Sequence, residues 1–179
     1  VNMMVRFIPV FHVFQNLSSA FAATDILRDN IPDLKIRVVN VLDLMKLVSN
    51  VDHPHGLTND EYDAIFTKDK PIIFAFHGYP DLIHQLTYKR FNRNLHVHGY
   101  IEEGTITTPF DMRVRNRIDR YHLVLDVLKY VKVNVKQRNA LQKKCNDTLS
   151  YHEKYIVENG VDIPEVVNYK WHGKTNNIW

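Results

Sequence analysis

The stretch Pro71-Ile-Ile-Phe-Ala-Phe76, followed directly by His77-Gly-Tyr-Pro80, decides the fold of this chain. Ile72 to Phe76 are all apolar, and the run has the length of a strand bounded by prolines. A strand that is apolar on both faces is typical of the centre of a parallel sheet. His77 then lies at the carboxyl edge of the sheet, where open α/β sheets place their ligands.

Strand-like and helix-like segments alternate on both sides of this stretch. Apolar and β-branched runs predict further strands at Met3–Val10, Leu34–Leu42 and Leu95–Tyr100. Helical spacing predicts helices at Leu17–Arg28, Asn59–Thr67, Asp81–Arg90, Ile118–Leu128 and Lys136–Glu158. Pro9 counts against the first strand, because proline cannot donate to a ladder. The alternation predicts an α/β fold with a mainly parallel sheet covered on both faces.

The composition is that of one packed globular domain. The chain has 179 residues, 45% apolar and 24% charged, and its net charge of +3 is too small to indicate nucleic acid. No apolar run approaches the roughly 18 residues that span a bilayer. The lone Cys145 excludes an internal disulfide and fits a reducing, cytoplasmic setting. We expect a single domain, with a core over about 1–131 and an appended helix and arm over 132–179.

The glycines are too scattered to form a phosphate-binding loop. They stand at positions 56, 78, 99, 104, 160 and 173, which fits neither a P-loop nor a dinucleotide fingerprint. A Gly-Asp-Gly magnesium-diphosphate motif is also missing. The sequence therefore predicts that this chain binds no cofactor of its own.

Histidines are concentrated in one part of the chain, at positions 53, 55, 77, 84, 96 and 98. His96 and His98 alternate along a predicted strand and so face the same way. Metal binding would need three or four converging ligands, and ordinary hydrogen-bonded histidines are the favoured reading. For His77, a ligand role at the sheet edge and a loop histidine bonded to backbone both stay open.

The segment Gly99–Met112 carries the densest set of polar groups. Thr108 is a natural N-cap, Pro109 a first helical residue, and Asp111 a carboxylate in the first turn. The neighbouring carboxylates and threonines suit acid–base chemistry, a basic partner or an anion, but helix capping plus a docking loop is favoured. We expect no catalytic, cofactor-binding or metal-binding residue. The interface or ligand candidates are His77, Tyr79, Glu102, Glu103, Thr105, Thr107, Thr108 and Asp111.

A basic stretch from Val127 to Asn146 contains six lysines or arginines and no acidic residue. A solvated helical face is the favoured reading of this stretch. An acidic partner surface or a phosphorylated metabolite is the alternative.

Several blocks of the chain resemble the C-terminal domain of phosphoketolases. The resemblance is carried by Leu34–Leu47, Asp52-His-Pro-His-Gly-Leu57, Phe66-Thr-Lys-Asp-Lys-Pro71, Phe74-Ala-Phe-His-Gly-Tyr-Pro80, Gly99–Met112 and Asp119-Arg-Tyr-His-Leu123. It is specific over about residues 20–131 and weaker through Pro164-Glu165 and Trp171. Val1–Ser19 departs from the family pattern, because it lacks the glycine turn that usually follows the first strand.

The resemblance implies a parent enzyme that is a thiamine-diphosphate-dependent lyase of carbohydrate metabolism, related to transketolase. Such enzymes cleave xylulose 5-phosphate, and often fructose 6-phosphate, with inorganic phosphate to give acetyl phosphate and an aldose phosphate. Two preceding domains hold thiamine diphosphate and magnesium in a cytoplasmic homodimer. The third domain is a three-layer α/β/α fold with about five mostly parallel strands, as in transketolase.

Two hypotheses for this chain follow. In the first, it is a structural and assembly domain that is inactive alone and has the preceding catalytic domains as its partners, with no nucleic acid and no membrane. In the second, it is an independent metabolite- or phosphate-binding regulatory module that uses the sheet edge near His77 and Thr107.

Overall fold

A small parallel sheet forms the centre of the molecule. The computed structural model describes residues 6–12, 17–101, 104 and 106–171, with side chains from residue 17 onward. The strands are β1 (Arg6–His12), β2 (Lys35–Ile36), β3 (Val39–Asn40), β4 (Ile72–Phe76) and β5 (Leu95–His98). β1 pairs with β2, β3 and β4, and β4 pairs with β5, all in parallel. The predicted mixed fold with parallel strands is confirmed.

Seven α-helices and one 3₁₀ helix connect and follow these strands in the described residues. The helices are α1 (Leu17–Asn30), α2 (Asn59–Phe66), α3 (Pro80–Thr87), α4 (Pro109–Arg115), α5 (Arg120–Tyr130), α6 (Val135–Asn159) and α7 (Pro164–Val167), with the 3₁₀ turn at Leu44–Leu47. No helix among these residues is long and apolar enough to cross a membrane.

β4 is buried along its whole length, as its sequence predicts. Ile73 and Ala75 pack into an apolar cluster with α1, α5 and α6. Ile72, Phe74 and Phe76 pack into a second cluster with α2, α3 and the 3₁₀ turn. Each fully buried isoleucine or phenylalanine contributes roughly 1.5–3 kcal/mol, so this strand anchors the fold from both sides.

The single strand predicted over Leu34–Leu42 is wrong, because the structure holds two pieces of two residues each. β2 pairs with Arg6 and Phe7, and β3 pairs with Val10 and Phe11. The interruption lies opposite Ile8 and Pro9, and proline has no N–H to donate to a neighbour. Arg37, in the gap, instead donates to the carbonyls of Ala64 and Ile65 at 2.7 and 2.9 Å.

The first strand runs further than predicted, to His12 instead of Val10. Its predicted start at Met3 lies outside the described residues, as does the turn over residues 13–16 that leads into α1. The departure of Val1–Ser19 from the family pattern therefore concerns a connection that the structure does not describe.

α3 ends three residues earlier than predicted, at Thr87 instead of Arg90. Leu82, expected on its buried face, is 39% exposed, and Ile83 and Thr87 are buried instead. Arg90, predicted as the last helical residue, lies beyond the helix, and its side chain donates to the carbonyls of Leu47, Val48 and Leu57. The 3₁₀ turn and α7, four residues each, are too short to show a helical period in the sequence.

α6 and the segment after it pack onto the remainder of the fold. Gly160 ends α6 in the left-handed conformation at φ 70°, which glycine adopts without a steric penalty. Leu141 and Cys145 of α6 join the cluster around α5. The C-terminal arm, residues 160–171, buries Ile163 and stacks Trp171 on Phe21 of α1 with ring centroids 4.3 Å apart.

Candidate functional site at the carboxyl edge of the sheet

Two neighbouring strands deliver aromatic and polar residues to the same edge of the sheet. β4 ends at Phe76 and β5 at His98, and their parallel pairing brings His77 and Tyr100 together. The Tyr100 hydroxyl lies 2.7 Å from His77 Nε2, and the Tyr100 N–H donates to the Gly78 carbonyl at 2.9 Å. The loop after β4 and the loop after β5 therefore form one tied unit.

The close approach of the two loops requires a glycine at position 99. A Cβ built there would lie 2.2 Å from the Gly78 carbonyl oxygen and 3.0 Å from the Pro80 ring. Both neighbours are rigid, so no side chain fits without moving one loop. The spacing of the two glycines in the sequence gives no sign of this contact.

Exposed aromatic and aliphatic side chains surround the tied loops. Tyr79 is 59% exposed, and its ring centroid lies 6.3 Å from that of Tyr100. Ile101 follows and is 53% exposed. We call His77, Tyr79, Tyr100 and Ile101 the carboxyl-edge patch. Ile106, in the following loop, is completely exposed.

Thr108 caps α4, as the sequence predicts. Its Oγ1 accepts from the Asp111 N–H at 3.3 Å. Its hydroxyl also donates to Asp162 of the C-terminal arm, and Asp162 Oδ2 accepts from the Phe110 N–H at 3.2 Å. Asp162 is thus a second capping residue. Its distance of 54 residues along the chain hides it from sequence reasoning.

Asp111 points into the contact between α4 and α6 and away from the patch. It is only 5% exposed and accepts from Arg115 Nε at 2.8 Å. Its other oxygen lies 3.6 Å from Nε2 of His152, which is fully buried and edge-on to the Phe110 ring. This carboxylate therefore joins two helices and is not available to a ligand at the sheet edge.

Of the remaining interface or ligand candidates, the structure describes only Thr107. Thr107 is half-buried, and its side chain forms no hydrogen bond within the described part of the chain. Glu102, Glu103 and Thr105 lie outside the described residues. The fold thus brings the predicted candidates His77 and Tyr79 together with Tyr100. Thr108 caps α4, and Asp111 pairs with Arg115 of the same helix.

A second polar contact joins β5 to α5 and was not foreseen from the sequence. His98 Nε2 lies 2.6 Å from Asp126 Oδ2, and Lys129 pairs with the other oxygen. Burial works to raise the pKa of Asp126, but the hydrogen bonds from His98 and Lys129 lower it to about 2. The His96 ring stacks on Tyr130 at 3.9 Å, so both histidines face α5, as their spacing predicts.

The arrangement suits recognition better than bond-breaking chemistry. Across the described residues, no three histidine, cysteine or acidic side chains converge to hold a metal ion. The patch combines exposed aromatic rings and isoleucine with a fixed histidine–tyrosine pair. Aromatic side chains with a polar tip are enriched where proteins contact each other.

Comparison with known proteins places most of the chain in one family model. Residues 15–171 match the model described as the XFP C-terminal domain. The chain is 56% identical over 153 residues to a probable phosphoketolase of Clostridium acetobutylicum. Probable phosphoketolases of Pediococcus pentosaceus and Rhodopirellula baltica are each 51% identical, over 152 and 155 residues. These alignments cover 86%, 85% and 86% of this chain but 19%, 19% and 20% of the relatives, so the chain spans about a fifth of their length.

Proposed function

Since the chain belongs to the XFP C-terminal domain family, that of the phosphoketolase C-terminal domains, we propose that it is the structural and assembly domain of a phosphoketolase. The parent enzyme is a thiamine-diphosphate-dependent carbon–carbon lyase. It cleaves xylulose 5-phosphate, and often fructose 6-phosphate, with inorganic phosphate to give acetyl phosphate and an aldose phosphate. This domain alone has no activity.

The proposed partners are the preceding catalytic domains of the same enzyme, which hold thiamine diphosphate and magnesium in a cytoplasmic homodimer. The carboxyl-edge patch is the observation that carries this proposal. Tyr79 and Ile101 are more than half exposed on loops whose backbones are hydrogen-bonded to each other, and the aligned part of this chain covers only 19% of the first relative. Exposed apolar side chains on a rigid edge suit a surface that another part of the enzyme covers.

The finer architecture is part of the same proposal. We assign the chain a three-layer α/β/α arrangement with about five strands, similar to the C-terminal domain of transketolase. The two apolar clusters on opposite faces of β4 support this assignment. We also treat 1–179 as one domain, in support of which α6 contributes Leu141 and Cys145 to the cluster around α5.

Substitution of Tyr79 in the complete enzyme tests the docking surface. Tyr79→Asp places a charge in the proposed contact, so we expect weaker dimerisation or lower turnover with little effect on this domain's own stability. Tyr88→Asp is the matched control, because Tyr88 is 58% exposed and follows the other end of α3. Sedimentation velocity and steady-state kinetics measure the effect. Equal behaviour of both variants and the parent would contradict the docking role.

We also propose that the loop from Glu102 to Thr108 packs against the preceding catalytic domains in the full-length dimer, beside the patch. Thr107→Val or Glu103→Gln in the complete enzyme is then expected to reduce assembly or turnover more than it destabilises this domain. Removing a charge from a desolvated interfacial pair costs about 2–5 kcal/mol, against far less at a rim. Denaturation of the 179-residue chain carrying the same substitutions separates the two effects.

The alternative function is an independent metabolite- or phosphate-binding module at the same edge. The exposed His77 bonded to Tyr100 is the observation that favours it. Isothermal titration of the 179-residue chain with phosphate, sugar phosphates and nucleotides distinguishes the two functions. Saturable binding that His77→Ala removes would support the module. Under the assembly role we expect no binding of these ligands or of magnesium with thiamine diphosphate.

A further inference from the structure

A cavity of about 190 Å³ lies away from the sheet edge, between α1, the start of α5 and the C-terminal arm. Its polar lining consists of three carboxylates, Asp25, Asp29 and Glu165, and one guanidinium, Arg120. Ile26 and Tyr169 supply apolar surface beside them. None of these residues belongs to the carboxyl-edge patch.

Arg120 is the unusual member of this lining. It is only 4% exposed, and its Nε has no hydrogen-bond partner within the described residues. The guanidinium carbon lies 4.5 Å from the Tyr169 ring centroid and 5.7 Å from that of Phe110. Burial lowers the pKa of Arg120, while charge interactions with Tyr121, Tyr169, Glu165 and Asp119 act in the other direction. A buried donor of this kind calls for an acceptor.

The carboxylates give the cavity an excess of negative charge. Asp25 is held in place because its Oδ2 accepts from the Tyr169 hydroxyl at 2.6 Å. Asp29 and Glu165 are exposed at the rim, on α1 and α7. With three negative groups and one positive group, the lining complements a ligand that carries two positive charges and one negative charge.

We propose that this cavity binds a free basic amino acid. Its carboxylate accepts from Arg120, its two cationic groups lie against the three carboxylates, and its aliphatic chain packs on Ile26 and the Tyr169 ring. The volume suits a molecule of that size. Because the lining comes from α1, α5 and the arm, the ligand would bridge the arm to the body of the domain.

Three related probes separate the contributions of the charges. L-lysine carries all three groups, cadaverine lacks the carboxylate, and 6-aminohexanoate lacks the α-ammonium. In isothermal titration of the 179-residue chain at constant ionic strength, we expect saturable binding of L-lysine. Each truncated probe should bind about tenfold more weakly or worse, because each lost contact is a charge-assisted hydrogen bond. Absence of saturable L-lysine binding, or equal affinity for L-lysine and cadaverine, would overturn the proposal.

Substitutions of the lining residues test whether L-lysine binds in this cavity. Glu165→Gln and Asp29→Asn remove exposed charges and should each weaken L-lysine binding at least threefold. Glu158→Gln on α6 should not, because Glu158 is exposed and does not belong to the lining. Arg120→Gln should abolish the preference for L-lysine over cadaverine. If circular dichroism shows Arg120→Gln to be unfolded, the two rim variants decide. L-lysine binding that both rim variants leave unchanged would place the ligand elsewhere and refute this site.

Discussion

Arg90 shows how one side chain sets the position of a whole loop. It is 2% exposed and lies over the Tyr62 ring at 4.3 Å. Its guanidinium donates to the carbonyls of Leu47, Val48 and Leu57 at 2.9, 2.6 and 2.8 Å. These carbonyls lie at the two ends of the histidine-containing loop over residues 49–57. The loop therefore holds its shape through Arg90, while its own side chains stay largely exposed.

Arg90→Met is expected to destabilise the chain by at least about 2 kcal/mol, because it leaves the carbonyls of Leu47 and Val48 without their donor, each worth roughly 1–3 kcal/mol when unsatisfied. The Leu57 carbonyl keeps a second donor, the Asn50 N–H at 3.1 Å. Urea denaturation measures the change. Arg93→Met is the matched control, since Arg93 is exposed and should stay within about 0.5 kcal/mol of the parent. A loss for Arg90→Met no greater than that of the control would show that the loop does not depend on this side chain.

Thr108 carries two interactions where the sequence indicates one. Thr108→Ala removes the cap on the Asp111 N–H and the hydrogen bond to Asp162. We expect a loss of about 1–2 kcal/mol, at the upper end of the usual range for an N-cap. Thr148→Ala serves as the control in the same denaturation experiment, because within the described residues the half-buried Thr148 hydroxyl bonds only the Lys144 carbonyl of its own helix. An unchanged midpoint for Thr108→Ala would exclude both interactions as contributors to stability.

At the scale of elements, the sequence predicts best where a segment carries its own signal. β4 is recognisable from its apolar run, and α2 and α6 from their helical spacing. The structure adds the reciprocal cap of Thr58 and Glu61 at the start of α2. The division of β2 from β3 depends on Pro9 in another strand, some thirty residues away in the chain. The contacts of Asp162 with Thr108 and of Asp126 with His98 escape prediction for the same reason, because the partners are distant in sequence.

The contact between β5 and α5 gives stability that depends on pH. Asp126 has a pKa of about 2 in the folded chain against an ordinary value of 3.8. A lowered pKa stabilises the fold above about pH 4, and this contribution is lost as the pH falls toward 2. The difference corresponds to about 2 kcal/mol.

The unfolding free energy of Asp126→Asn should therefore fall about 2 kcal/mol less than that of the parent between pH 5 and pH 2. This variant should also be less stable than the parent at pH 7, where His98 and Lys129 lose their carboxylate. Guanidinium denaturation across this pH range provides the measurement, with the exposed Asp33→Asn as control. A decline as steep in Asp126→Asn as in the parent would mean that another group controls the acid sensitivity.

At the scale of the whole molecule, the chain matches about a fifth of the length of its relatives. Its sheet, its two apolar clusters and its C-terminal arm give a domain with two separate surface features. One is the carboxyl-edge patch, which we assign to contact with the remainder of the enzyme. The other is the acidic cavity around Arg120, which we assign to a small ligand. The two assignments rest on different residues, so each can fail without the other.

Hydrogen–deuterium exchange of the complete enzyme, compared with the 179-residue chain alone, tests the assembly role most directly. The backbone amides of residues 77–80 and 99–108 should exchange much more slowly in the complete enzyme, because the preceding domains cover that edge. Residues 88–93, at the other end of α3, should exchange at the same rate in both. Equal exchange rates for residues 77–80 and 99–108 in the two proteins would contradict the account.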